Sequence, residues 1–167
     1  MPLSDAQIER YARQIVLPDV GIEGQQRLLS ATVLLVGDEL GCRLAGLYLR
    51  AAGVRTAATV SSSGIDCALL ANNVAVEGAA VRRIRDGKLP VAWYALREGT
   101  LESGVAEPGD RDWPLPPPLR RGNRTSSQPR GMHFALQQAG ACEAAGLCLV
   151  RLLGWPQELS RDEVDFA

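Results

Sequence analysis

The sequence has a single histidine, His133, and its four cysteines include no C-x-x-C pair. Structural zinc sites are built from closely spaced Cys and His ligands, so we expect neither zinc nor another metal site. Cys42, Cys67, Cys142 and Cys148 are instead predicted to be small buried apolar residues, the last two on different faces of a helix. His133 is predicted to be a structural or surface residue.

The sequence also lacks an excess of basic charge. Its formal net charge is −1, which provides no electrostatic attraction to nucleic acid. The arginines at 82–85 and 120–130 are interpreted as a solvated helix face and a polar loop. No apolar run is long enough to span a bilayer, and the N-terminus lacks the apolar stretch of a signal peptide. We therefore expect a cytoplasmic protein without nucleic-acid or membrane partners.

Hydrophobic periodicity predicts one α/β domain over residues 1–167. The run from Ala31 to Val36 is continuous, apolar and rich in β-branched residues, which is typical of a strand buried on both faces of a parallel sheet. The predicted segments are N-terminal helices over 1–30, a β-α-β-α-β core over 31–96, a Pro/Gly-rich loop over 97–131, a C-terminal helix over 132–154 and a tail over 155–167.

A buried strand leading into a helix is where nucleotide-binding proteins carry a G-x-G-x-x-G turn. Here the turn begins with Gly37, but Glu39 and Cys42 occupy the positions of its second and third glycines. The carboxylates of Asp38 and Glu39 would repel a nearby phosphate. This repulsion and the missing glycines indicate a degenerate nucleotide loop. The glycines that remain in it, Gly37 and Gly41, are the candidate cofactor-binding residues.

The second predicted strand, over 56–60, is not followed by the acidic residue that usually holds the ribose of a nucleotide. Serines stand at 61–63, and the nearest carboxylate is Asp66. A third helix is predicted over 72–85 and a third strand over 89–96, with a proline at its leading end.

Three stretches follow one another in fixed order: RYARQIVLP at 10–18, GIEGQQRLL at 21–29 and VLLVG at 33–37. Together with residues 48–54 they resemble the opening of the ThiF/MoeB/HesA family, whose members adenylate the C-terminal glycine of ubiquitin-like sulfur carriers. A weaker similarity to the family's late helix follows over 140–154.

The resemblance implies an α/β, Rossmann-like three-layer fold with N-terminal helices and a mainly parallel sheet. The sheet is expected to be shortened, because no counterpart of the family's fourth strand is found. The resemblance also implies a dimer in which Arg13, on the first helix, reaches the nucleotide of the neighbouring subunit. The expected partners are a second copy or an active homologue, and a ubiquitin-like or sulfur-carrier protein.

Several family positions have changed in this sequence. The two aspartates that follow the second strand in the family correspond to Ser61 and Ser63, and only Asn72 and Asn73 remain of an Asn-x-x-Arg-Gln motif. The metal-binding aspartate, the zinc-binding cysteine pairs and a loop cysteine for sulfur chemistry have no counterpart. These departures favour a pseudoenzyme that uses no cofactor.

Two other functions remain open from the sequence. One is an active ATP-dependent adenylyltransferase with a rebuilt nucleotide site, which would bind ATP and magnesium through main-chain amides of the loop and replacement residues such as Asp66 or Arg82. The other is an interaction module whose proline-rich stretch at 113–118 binds a partner.

Overall fold

The computed structural model describes residues 2–59, 64–72, 89–97, 100–107 and 130–154, together with positions 82, 84 and 86. Four helices have their bounds within these residues: α1 Asp5–Ile15, α2 Gly21–Ser30, α3 Glu39–Ala51 and α4 Arg130–Leu153. The strands are β1 Thr32–Gly37, β2 Arg55–Ala57, β3 Cys67–Ala71, β4 Val91–Arg97 and β5 Thr100–Ala106. Arg82 and Ile84 are helical as well.

The five strands form one sheet in the order β2-β1-β3-β4-β5. The first four strands of this order are parallel, and β5 returns antiparallel to β4. Strand β1 lies at the centre of the parallel part, where Val33 is in register with Thr56 on one side and Cys67 on the other. The predicted α/β class and mainly parallel sheet are therefore confirmed, and the arrangement is consistent with a Rossmann-like fold.

The N-terminal helices form where the sequence predicts them. Ser4 caps α1 in a reciprocal capping box with Gln7, which satisfies two amide groups at the start of the helix. The Gln14 side chain then donates a hydrogen bond to the carbonyl of Ala51 at the end of α3, with 3.4 Å between Nε2 and O. The buried Gln25 of α2 donates to the carbonyl of Ala52 at 2.9 Å. Side-chain amides thus link both N-terminal helices to the end of α3.

Both faces of the sheet are apolar. On one face, buried side chains of β1, β3 and β4 pack against α2, α3 and α4. On the other face, a second cluster includes Leu34 and Val36 of β1, Leu70 of β3, Trp93 of β4 and the helical Ile84. Burial on both faces explains the continuous apolar run of β1, since neither side of that strand faces water.

The predicted β-α-β-α-β order was wrong, because it omitted the strand Cys67–Ala71. This strand is buried along its whole length between β1 and β4. It has only five residues and no β-branched residue, so its composition does not favour a strand. The predicted second strand is also shorter than expected, since β2 ends at Ala57.

The prediction of a loop over 97–131 was also wrong at its beginning, where β5 pairs with β4 along seven residues. This strand was not predicted because its polar residues are typical of a loop. On one face Ser103 is hydrogen-bonded to Glu143 of α4, and on the other Gly104 lies against the ring of Trp93. The remainder of that loop from 108 to 129, most of the predicted helix 72–85 and the tail 155–167 lie outside the described residues.

Candidate functional site

The candidate site lies at the carboxyl ends of β1 and β3. From β1 the chain passes through α3 to β2 on one side of the sheet, whereas β3 pairs with β1 on the other side. Ligands of open α/β sheets bind in the crevice created where the strand order reverses in this way. Gly37 is the last residue of β1, Asp38 follows it, and Asn72 follows β3, so these three residues stand at the position of this crevice.

Asp38 caps α3 with its own carboxylate. Its Oδ1 atom accepts a hydrogen bond from the amide of Gly41, with 2.8 Å between the two atoms. This amide is one of the unpaired donors at a helix N-terminus that otherwise bind an anion such as phosphate. A negatively charged group of the chain itself therefore occupies this donor, where it also interacts favourably with the helix dipole.

Helix α4 reaches the same carboxylate. The buried Gln137 donates from Nε2 to Asp38 Oδ1 across 3.5 Å. One turn further along α4, Gly140 packs so closely against the ring of Tyr94 that a Cβ atom there would overlap it. Contacts with Asp38 and Tyr94 thus place the first half of α4 directly at the crevice.

Two glycines of the predicted nucleotide loop are needed for close packing. Gly37 has a φ angle of +136°, and a Cβ atom at this position would overlap the carbonyl oxygen of Ala71 at the end of β3. Gly41 lies against the hydroxyl of Tyr94, where a Cβ atom would again overlap. Both glycines allow the β1–α3 turn to approach the neighbouring strands, which is one of the roles of glycine in such turns.

Two buried polar atoms remain unpaired beside this turn. Among the described residues, the Tyr94 hydroxyl and the Oδ2 atom of Asp38 have no hydrogen-bond partner. Tyr94 is fully buried. Burial first, and then the negative charge of Asp38, raises the pKa of the Tyr94 hydroxyl. The same two causes raise the pKa of the half-buried Cys42 thiol to about 11. Tyr94 and Cys42 are therefore neutral at pH 7, and this thiol is a poor nucleophile.

Asn72 at the end of β3 has a structural role. Its φ angle is +48°, a conformation that asparagine adopts more readily than most residues. The side-chain Oδ1 accepts from the amide of Leu96 at 3.1 Å, and its backbone amide donates to the carbonyl of Tyr94 at 2.9 Å. These bonds tie the carboxyl end of β3 to β4.

The proposed replacement of a ribose-binding acid by Asp66 was wrong. Asp66 precedes β3, so it lies at the amino end of the strands and not at the crevice. Its Oδ2 accepts from the amide of Thr32 at 2.9 Å, and its own amide donates to the carbonyl of Thr32 at 3.0 Å. Ser61 and Ser63 lie outside the described residues. Arg13 is exposed on α1.

The cysteines were predicted with partial success. Cys67 and Cys148 are buried and Cys42 is half-buried, but Cys142 is exposed. Cys142 and Cys148 do lie on different faces of α4, as predicted. His133 belongs to α4, but its side chain is outside the described part of the chain. Within that part, no three His, Cys, Asp or Glu side chains are grouped to hold a metal ion, and no helix is long and apolar enough to cross a membrane.

A segment of the chain is similar to known adenylyltransferase and sulfurtransferase proteins. Over 75 residues, or 44% of this chain, it is 47% identical to "adenylyltransferase and sulfurtransferase uba4" of Pyricularia oryzae, of which the match covers 15%. Over 73 residues, or 43% of this chain, it is 48% identical to MOCS3 of Sus scrofa, which carries the same description, and the match covers 16% of that protein. The uba4 protein of Aspergillus niger is 45% identical over 74 residues, which are 44% of this chain and 15% of that protein.

These matches support the resemblance of the segment to the ThiF/MoeB-like family. No family model matches the chain. The matched stretches span less than one fifth of the length of each of these relatives.

Sequence reasoning missed two residues of this site, Tyr94 and Gln137. Tyr94 stands in an apolar strand, where its pattern is that of any core residue. Gln137 lies 99 positions from Asp38, and a single glutamine in a helix predicts no particular contact. The capping role of Asp38 follows a local rule, since an aspartate before the first helical residue commonly accepts an amide of the first turn.

Proposed function

We propose that this chain is a catalytically degenerate ThiF/MoeB-like protein that acts as a dimerising or regulatory partner in the activation of a ubiquitin-like or sulfur-carrier protein. The observation that carries the proposal is the hydrogen bond from the Gly41 amide to the Asp38 carboxylate. In this position the chain supplies its own anion to the N-terminus of α3, where the family's fold would place a phosphate.

The residues at the crevice do not fit ATP with magnesium. A triphosphate near the start of α3 would meet the carboxylate of Asp38 at a few ångströms, and that of Glu39 in the first turn of the helix, and like charges at such distances repel. Asp66, at the amino end of the strands, is unable to take over the role of the missing ribose acceptor.

The proposed partnership depends on α1. Family resemblance gives Arg13 the role of an arginine that reaches the nucleotide of a neighbouring subunit, and Arg13 is exposed on this helix. A correctly placed cation stabilises the charge of a transferring nucleotide, so a subunit without its own active site is still able to assist another. The expected complex is a homodimer or a heterodimer with an active homologue.

Calorimetric titration of the purified chain with ATP and magnesium tests the loss of the nucleotide site. We expect no saturable heat at millimolar nucleotide and no ATP–pyrophosphate exchange with a ubiquitin-like carrier. Saturable binding together with pyrophosphate exchange would overturn the proposal.

The partner role is tested in a mixture with an active homologue from the same cell. Carrier adenylation by the homologue is measured with the unchanged chain, with Arg13→Ala and with Arg10→Ala as a matched control. We expect Arg13→Ala to reduce the stimulation of carrier adenylation by about tenfold or more. Arg10→Ala should leave the stimulation unchanged. Equal stimulation by all three proteins would count against the role of Arg13.

A second candidate function is an active adenylyltransferase of a ubiquitin-like carrier with a rebuilt site. It is favoured by the names of the relatives, which describe adenylyltransferases at 47–48% identity over the matched segment. For this candidate, ATP is expected to raise the melting temperature in a saturable manner, because a ligand that binds only the folded state stabilises it. The same titration and exchange measurements therefore distinguish the two candidates.

A further inference from the structure

Two buried thiols meet between the sheet and α4. Cys67 opens β3 and Cys148 lies in the second half of α4, and their Sγ atoms are 3.8 Å apart. The exposed fractions of the two residues are 1% and 0%. The two positions are 81 residues apart in sequence, so the pair connects distant parts of the chain.

The surroundings of the pair keep both thiols reduced while α4 is packed. The pair belongs to the apolar cluster between the sheet and α4, which also contains Ala92, Ala144 and Ala145. The hydrogen bond with Cys67, followed by burial, raises the pKa of the Cys148 thiol. Because the thiolate is the reactive form, a buried thiol with a raised pKa reacts slowly.

We propose that Cys67 and Cys148 are a disulfide-forming pair, which oxidises when α4 separates transiently from the sheet and then joins β3 to α4 covalently. The two sulfurs are 3.8 Å apart, so a bond of about 2.05 Å requires them to approach each other by about 1.8 Å. The oxidant is a small-molecule disulfide such as oxidised glutathione.

The chemistry balances with this oxidant. One cysteine thiolate attacks a glutathione sulfur, the glutathione disulfide bond breaks, and the first reduced glutathione leaves. The second cysteine thiolate attacks the resulting mixed disulfide, forms the Cys67–Cys148 bond and expels the second glutathione. The two thiol protons are transferred to the two glutathione molecules, so the protein loses two electrons and the oxidant gains them.

Oxidation of this pair has a consequence for the crevice. Gln137, which contacts Asp38, and Gly140, which contacts Tyr94, are carried on the same helix as Cys148. A covalent bond from α4 to β3 would hold this helix in place even if the packing loosened. Reduction would leave the position of α4 dependent on packing and on polar contacts such as the Arg151–Glu107 ion pair.

The test uses the full chain carrying Cys142→Ser, which removes the exposed thiol, and the same chain with Cys148→Ala as matched control. Both are incubated with oxidised glutathione, with and without urea below the unfolding midpoint. Intact mass, peptide mapping and melting temperature are measured before and after treatment with dithiothreitol. The unchanged chain is mapped in parallel, so the result does not depend on the folding of a variant.

We expect a loss of about 2 Da, a peptide containing Cys67 linked to Cys148, and faster formation in urea. Closing a loop of this length should raise the melting temperature by about 10 °C, reversibly with dithiothreitol. Cys148→Ala should show neither change. The proposal is overturned if oxidation yields only glutathione adducts without this link, or if the linked protein melts at a lower temperature than the reduced one.

Discussion

The backbone of Gly41, in the first turn of α3, lies against the phenolic hydroxyl of Tyr94 on β4 with no space between them for a methyl group. The hydroxyl is buried and, within the described residues, makes no hydrogen bond. The close packing of α3 against β4 therefore leaves the Tyr94 hydroxyl unsatisfied. A buried donor without a partner lowers the stability of the folded state.

Tyr94→Phe is expected to stabilise the protein. Removing an unpaired buried hydroxyl relieves its desolvation penalty, and the free energy of unfolding should rise by about 1 kcal/mol. Gly41→Ala should lower it by about 3 kcal/mol, because the added methyl overlaps the hydroxyl. The double variant should recover part of that loss. Urea unfolding of the four proteins measures this coupling, and strictly additive effects would contradict the predicted contact.

Gly37→Ala is expected to be strongly destabilising, by about 3 kcal/mol or more, because a positive φ angle and overlap with the Ala71 carbonyl act together. Gly64→Ala is the matched control, since Gly64 also has a positive φ angle, +73°, but no atom of the described residues lies within 4 Å of an added Cβ. It should cost about 1 kcal/mol from the backbone conformation alone. Unfolding midpoints in urea provide the comparison, and equal losses in both variants would exclude steric overlap at Gly37.

Stability is expected to fall as the pH rises from 9 towards 11. The Cys42 thiol has a pKa of about 11 in the folded protein against 9.0 as its ordinary value. Between these values the folded state holds more protons than the unfolded state, so the free energy of unfolding decreases with increasing pH. Cys42→Ala should flatten this dependence, leaving the parts due to the raised pKa values of Tyr94 and Cys148. Denaturation at pH 8.5 and 10.5 tests the prediction, and an unchanged slope in the variant would refute it.

Asp38→Ser tests whether the carboxylate is what excludes anions from α3. A serine keeps a capping acceptor for the first turn, so the stability loss should stay near or below about 1 kcal/mol. Removal of the negative charge should allow weak binding of inorganic phosphate or pyrophosphate, detected by calorimetry. Glu39→Gln, which removes a charge without changing the cap, is the control. No gain in Asp38→Ser would mean that the carboxylate is not what excludes anions from this helix terminus.

The strands of this fold differ sharply in how well the sequence predicts them. The apolar run of β1 and the cap of α1 are local patterns, and both elements form within one or two residues of their predicted bounds. Strand β5 pairs with the strand that precedes it, but its sequence TLESGVA lacks a clear apolar alternation. Ser103 is hydrogen-bonded to Glu143, 40 positions away, and Gly104 is covered by Trp93, so the reasons for these residue types lie outside the strand.

The candidate site was predictable to a similar degree. The sequence predicts that the acidic turn Asp38–Glu39 has lost its nucleotide chemistry, and this stays a prediction; the structure shows Asp38 as the N-cap of α3. The contact with Gln137 was not predictable, since it arises only when α4 packs on the sheet. Asp66 was expected at the carboxyl ends of the strands, because the strand that follows it was not predicted. Since Asp66 in fact precedes β3, it lies at the amino ends.

The paired hydrogen bonds between Asp66 and Thr32 have a consequence for how the chain finds its native pairing. They fix β1 against β3 at the amino end with both backbone and side chain. A slip of one residue would exchange the side chains of β1 between the two faces of the sheet, so that Leu34 and Val36 would face the wrong core cluster. It would also leave the Asp66 carboxylate without its amide donor. Asp66 therefore disfavours misregistered folding intermediates. Its replacement should raise the fraction of protein that aggregates during refolding, while the free energy of unfolding of the folded protein changes comparatively little.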